Sequence, residues 1–129
     1  MTLAHWCILI AAVLPYVWTV IAKRSPGGAG RFDNAAPREY LSRVDGLAAR
    51  ANWAQLNAFE AFAPFAAAVL IAEKAGASQA SIDTLAMAFV VARVGHGLCY
   101  LANRSGLRSL VWALGFAIVI ALFVLAARA

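Results

Sequence analysis

The sequence predicts an all-α fold: one domain over residues 1–129, built as an integral membrane bundle of four spanning helices. Three observations carry this. The chain is 64% hydrophobic and 13% charged, whereas a soluble domain is about half apolar and a quarter charged. Its apolar residues gather into four runs, each close to the ~20 residues that cross a hydrocarbon core. Its charged residues sit mostly between those runs, and the mean hydropathy is +0.76. The net charge of +5 would suggest nucleic acid on a soluble face. Between apolar runs, basic residues instead set topology and meet anionic lipid, so the partner expected is membrane lipid and no nucleic acid.

The first span runs from about Leu3 to Ala22, with Pro15 inside it. No basic stretch precedes it, and Lys23-Arg24 follow it, so it reads as a retained span and not as a cleaved signal. Residues 23–45 form a polar loop. Ser25-Pro26-Gly27-Gly28 breaks the helix, and a short turn of helix is expected after Pro37. The second span covers about Gly46 to Ala75, bends at Pro64, and stops at Gly76, a C-terminal cap. Ser78 or Ser81 is the expected N-cap of the next helix, with Asp83 in its first turn. The third span covers about Ser81 to Ala102, and Asn103-Arg104-Ser105-Gly106 turns the chain into the fourth, about Leu107 to Ala127. Loop 23–45 carries Lys23, Arg24, Arg31, Arg38 and Arg43, and turn 103–108 carries Arg104 and Arg108. The positive-inside rule therefore places both in the cytoplasm and both termini on the opposite side. Cys7 and Cys99 lack metal-ligand spacing and read as small buried residues, with no metal expected.

Two stretches place polar side chains inside spans, where they are costly and mark candidate sites. Arg50, Trp53, Asn57 and Glu60 fall within about 80° of one helix face, and Arg93, His96 and Tyr100 within about 60°. Glu60 lies ten residues beyond Arg50, roughly 15 Å in, near the midplane. Arg93 lies equally deep, counted back from Asn103. The stripes thus form an antiparallel ladder: a Glu60–Arg93 ion pair, then Asn57 with His96, then Trp53 with Tyr100. A buried charge needs such a partner. The ladder either lines a site or only locks helix packing. At its mouth, Arg104 and Arg108, with Ser109 beside them, are topology signals or bidentate carboxylate ligands. An arginine near a thiol also stabilises the thiolate.

Ala54-Gln55-Leu56-Asn57-Ala58-Phe59-Glu60 with Pro64-Phe65, followed by Arg93, His96, Tyr100 and Arg108-Ser109, resembles the signature of the MAPEG family, membrane-associated proteins in eicosanoid and glutathione metabolism. The resemblance covers nearly the whole chain. It implies a four-helix protomer, a homotrimer, and glutathione bound at subunit interfaces near the cytoplasmic side. By position, Arg108 matches the arginine that activates the glutathione thiol. Asn57, Glu60, Arg93, His96, Tyr100 and Ser109 match pocket positions, and Lys23 or Arg24 falls near a basic first-helix position. Trp53, Leu56 and Trp112 stand where many members carry arginine, arginine and tyrosine. The expected function is a glutathione-dependent transferase or peroxidase acting on lipophilic electrophiles or hydroperoxides. Brevity and alanine content suggest a bacterial inner membrane. The departures favour an alternative, a non-catalytic member that binds a lipophilic small molecule or serves as a scaffold. A small transporter is the weakest reading, since the four spans show no internal repeat.

Overall fold

In a computed structural model that describes residues 1–129, the chain forms five helices and no strand: α1 (Leu3–Arg24), α2 (Pro37–Arg43), α3 (Gly46–Lys74), α4 (Gln79–Leu101) and α5 (Ser105–Ala127). All but α2 are long and apolar enough to cross a membrane. They run up and down. The chain termini and the α3–α4 turn lie at one end of the bundle, and loop 25–45 and the α4–α5 turn at the other.

The helix stops follow from backbone chemistry. Gly76 takes φ +84°. The Ala77 N–H reaches the Ala72 carbonyl at 3.1 Å and the Gly76 N–H reaches Glu73 at 3.0 Å. That is a Schellman closure, which satisfies carbonyls left over at a helix end. The α4–α5 turn repeats it with asparagine: Asn103 sits at φ 55°, with Arg104 N–H to Cys99 O at 2.9 Å and Asn103 N–H to Tyr100 O at 3.0 Å. Asparagine is among the few non-glycine residues that tolerate this left-handed region. The loop before α3 is held by the Asp45 N–H donating to the Gly27 carbonyl at 2.8 Å. Pro37 opens α2, where a missing N–H costs nothing. Tyr40 and Leu41 bury one side of α2 against Ala22 and Ala51.

The largest core cluster fills the terminal half of the bundle. Small residues (Ala4, Ala11, Ala68, Ala72, Ala86) bring α1, α3 and α4 close. Small side chains do this in membrane bundles because lipid supplies no hydrophobic drive between helices. Phe65 and Phe89 stack within this core, ring centroids 3.9 Å apart. The loop half holds a smaller cluster of Leu14, Trp18, Ala54 and Ala58. There Trp18 lies directly on Gly97, where an added Cβ would meet the indole Cζ2 at 2.2 Å. The stripe of Arg50, Trp53, Asn57, His96 and Tyr100 on α3 and α4 lies in this half.

The start of α4 differs from expectation. Ser78 takes the N-cap position without a side-chain cap bond. Asp83 does not serve the start of its own helix. Its Oδ1 accepts the Ala4 N–H at 2.9 Å and the Gln79 amide at 2.9 Å. It thereby satisfies one of the unpaired N–H groups that open α1.

Candidate functional site

The site is built by three helices. α3 supplies Asn57 and Glu60, α4 supplies Arg93, His96 and Tyr100, and α5 supplies Arg108 and Trp112. Arg93 and His96 are 5% and 2% exposed, the two buried polar side chains of the chain.

Arg93 does not pair with Glu60. Its Nη2 donates to Asn57 Oδ1 at 2.6 Å. The ladder is therefore offset by one helical turn at its deepest rungs, and Asn57 is bonded to Arg93 instead of His96. The reason lies in reach and direction. Asn57 is half-buried, whereas Glu60, about 60° further round α3, is exposed on the protomer surface. An arginine stem is long enough to reach either neighbour, and the amide oxygen lies on the buried side. The guanidinium thus has a neutral acceptor, and its Nε has no partner.

His96 stands edge-on to Tyr100, centroids 5.2 Å apart at 82°, and its Nδ1 has no partner. The shallow rung forms as read: Trp53 and Tyr100 meet at 6.5 Å. The Arg108 guanidinium carbon lies 4.4 Å from the centre of the Tyr100 ring, a cation–π seat. Arg50 Nη2 reaches the Leu101 carbonyl at 3.4 Å, so α3 also grips the end of α4. Ser109 is turned away from this group and donates to the Ser105 carbonyl of its own helix at 3.1 Å. Lys23 covers the Phe32 ring at 4.7 Å, beside the loop.

Between α3, α4 and α5 lies a cavity of about 190 Å³. Asn57, Glu60 and Arg93 form its polar wall, and Pro64, Phe89, Trp112, Phe116 and Val119 its apolar wall. Gly115 lines the α5 side, where an added Cβ would stand in ordinary contact, 3.9 Å from the Arg93 stem. A cation nine-tenths buried, with one neutral acceptor and one free N–H, favours an anionic or strongly hydrogen-bond-accepting guest. The sequence reading missed the α5 wall. The signal was there: Arg108, Trp112, Gly115 and Val119 recur at i, i+4, i+7 and i+11, one helix face.

The reading also missed a second polar group at the terminal end. The Thr2 hydroxyl donates to Glu73 Oε1 at 2.8 Å, and His5 Nε2 lies 2.7 Å from Glu73 Oε2. Thr2 and His5 also form a capping box at the start of α1. The Thr2 N–H donates to His5 Nδ1 at 3.1 Å, which assigns the ring proton to Nε2, facing Glu73.

Four helices long and apolar enough to cross a membrane, three of them around a part-polar cavity, define an integral membrane protein. The MAPEG family model matches residues 3–128, and the chain belongs to the MAPEG family. No curated protein and no solved structure matches it.

Proposed function

We propose that this MAPEG protein is a membrane-bound, glutathione-dependent transferase or peroxidase, working as a homotrimer in a bacterial inner membrane with the basic loop end in the cytoplasm. The observation that carries the reading is Arg93. It is 5% exposed, is partnered only by the Asn57 amide, and forms one wall of a cavity together with Glu60. A buried cation without a carboxylate partner is costly, and an anionic or acceptor-rich ligand would relieve that cost. Glutathione supplies two carboxylates and a thiol. In this reading Arg108, held on the Tyr100 face, stabilises the thiolate, while Asn57, Glu60, Arg93, His96 and Tyr100 shape the tripeptide pocket. Ser109 joins it only by releasing its bond to Ser105. In transfer, the thiolate sulfur bonds to the electrophilic carbon, and the leaving group departs with the bonding pair. In peroxide reduction, two glutathione molecules become the disulfide, and the hydroperoxide becomes an alcohol and water.

One observation favours a second reading. Trp53 and Leu56 are 51% and 49% exposed on α3, where arginines would serve the tripeptide's carboxylates. That surface suits a non-catalytic member carrying a lipophilic ligand.

Calorimetry of glutathione against the detergent-solubilised protein separates the two. Binding in the micromolar to millimolar range, weakened about tenfold or more in Arg108→Ala by loss of a charge-assisted contact, is expected. No heat at millimolar glutathione would select the second reading.

A further inference from the structure

We propose that the bundle carries a hinge across its middle. Two facing proline turns, residues 11–15 of α1 and 60–64 of α3, lie level with Gly95 of α4 and Gly115 of α5, and together they let the loop half tilt against the terminal half. The tilt opens and closes the cavity between α3, α4 and α5. The hinge is independent of what that cavity holds.

Backbone chemistry places the weak turns. A proline inside a helix offers no N–H to the carbonyl four residues earlier, and its ring crowds that carbonyl, so the turn bends or loosens. Pro15 and Pro64 both lie inside spanning helices, and the carbonyls affected are those of Ala11 and Glu60. α1 and α3 run antiparallel and meet where the Tyr16 and Phe59 rings lie 5.5 Å apart. Stepping along both helices from that contact sets Pro15 beside Glu60 and Ala11 beside Pro64, so the two loosened turns are neighbours. Thr19 adds to the first. Its hydroxyl donates to the Pro15 carbonyl at 2.9 Å, the kind of back-bond that bends helices.

The other two spans weaken at the same depth. Arg93 joins α4 to α3 through its bond to Asn57, and to α5 through its stem, 3.9 Å from a Cβ built on Gly115. Gly95 follows Arg93 by less than a turn. Crowding within the protomer demands neither glycine, since an added Cβ would make ordinary contacts at 3.8 Å and 3.9 Å. What remains is the effect of glycine in a helix interior, which is to loosen it.

The packing breaks at this depth too. The buried side chains of the larger core cluster stop at Ala11 on α1 and Phe89 on α4, and begin at Phe65 on α3 and Ile118 on α5. Those of the loop-half cluster begin at Leu14 on α1 and stop at Ala58 on α3. Between them, residues 59–64 include no buried one, the longest such stretch of α3. The cavity occupies this gap. Phe89 and Val119 line it from the terminal half, and Asn57 and Trp112 from the loop half, so a tilt of one half on the other changes its width. Both ends of the bundle are tied, by Glu73 and Asp83 at one and by Arg50 at the other, which leaves the middle to give.

The test is amide hydrogen exchange, read peptide by peptide by mass spectrometry, on the full chain in proteoliposomes. A bundle without a hinge exchanges slowest at mid-span, farthest from water. Wild type should instead show a local maximum over residues 11–16 and 60–65, about tenfold faster than the turns on either side. Pro64→Ala, which restores the missing N–H, should slow exchange about tenfold in its own turn and also over residues 11–16 of α1. Water in the cavity would not produce that second effect, because no residue of α1 lines the cavity. Exchange that falls steadily to mid-span in wild type would overturn the hinge, and so would slowing confined to α3 in Pro64→Ala. If Pro64→Ala does not fold, Gly95→Ala combined with Gly115→Ala replaces it. The same slowing over residues 11–16 is expected there, and unchanged exchange would equally overturn a shared hinge.

Discussion

At the residue scale, Arg93 and its acceptor govern the site. Asn57→Ala removes the one side-chain oxygen that Arg93 reaches and leaves a buried guanidinium without its acceptor, a loss of about 1.5–3 kcal/mol, the range for a hydrogen bond to a charged group. Glu60→Gln breaks no hydrogen bond or ion pair of the protomer, and Glu60 is exposed. A change under about 0.5 kcal/mol is expected there. Thermal unfolding in detergent should therefore rank Asn57→Ala well below Glu60→Gln. Equal destabilisation of the two would restore the ion pair that the rung counting suggested. The sequence made the stripe of Asn57, Glu60, Arg93, His96 and Tyr100 visible, because helical spacing fixes which residues share a face. It left the partner of Arg93 open, because rung counting places Cα atoms and an arginine side chain spans a full turn in either direction.

At the element scale, the close crossing of α1 and α4 depends on Gly97. Trp18 is 4% exposed and occupies the space a Cβ would need. Gly97→Ala should force the indole out of its seat and cost about 1–3 kcal/mol, the usual range for overpacking. Gly95, two residues earlier on the same helix, has its nearest neighbour at 3.8 Å, on Val111. Gly95→Ala should therefore gain up to about 1 kcal/mol from helix propensity. Opposite shifts in melting temperature would verify the contrast, and a matching drop in both would contradict it. The helices themselves were readable, since apolar length and the breakers at Pro37, Gly76 and Asn103 mark their ends. The Trp18–Gly97 contact was not, because no periodicity reports which glycine meets which tryptophan.

At the scale of the whole molecule, the two ends are secured differently. The loop end is held by α2 packing, with Tyr40 and Leu41 against Ala22 and Ala51, and by Arg50 on the Leu101 carbonyl. The terminal end is held by polar bonds, with Glu73 taking Thr2, His5 and Gln79 and Asp83 taking the Ala4 N–H. Glu73→Ala strips half-buried Thr2 and His5 of their acceptor, while exposed Gln79 keeps Asp83, and a loss of about 1–3 kcal/mol is expected. Amide exchange should quicken over residues 2–8 and stay slow in α5. Uniform acceleration throughout the bundle would show that this end is not a separate unit. The contacts made by Thr2, Ala4 and His5 join residues 68 to 79 positions apart, and for that reason neither His5 nor Asp83 was legible in its role from local pattern. The membrane fold, by contrast, was legible in composition alone.

The same long separation has a consequence in time. During synthesis the opening turn of α1 is made first, yet the side chains that complete it, Glu73 and Asp83, follow about 70 to 80 residues later. At ribosomal rates of about 5–20 residues per second, that delay is roughly 4–16 s. For those seconds α1 must hold its place in the bilayer by its apolar length alone, with Thr2 and His5 capping each other, until the α3–α4 hairpin arrives to receive it.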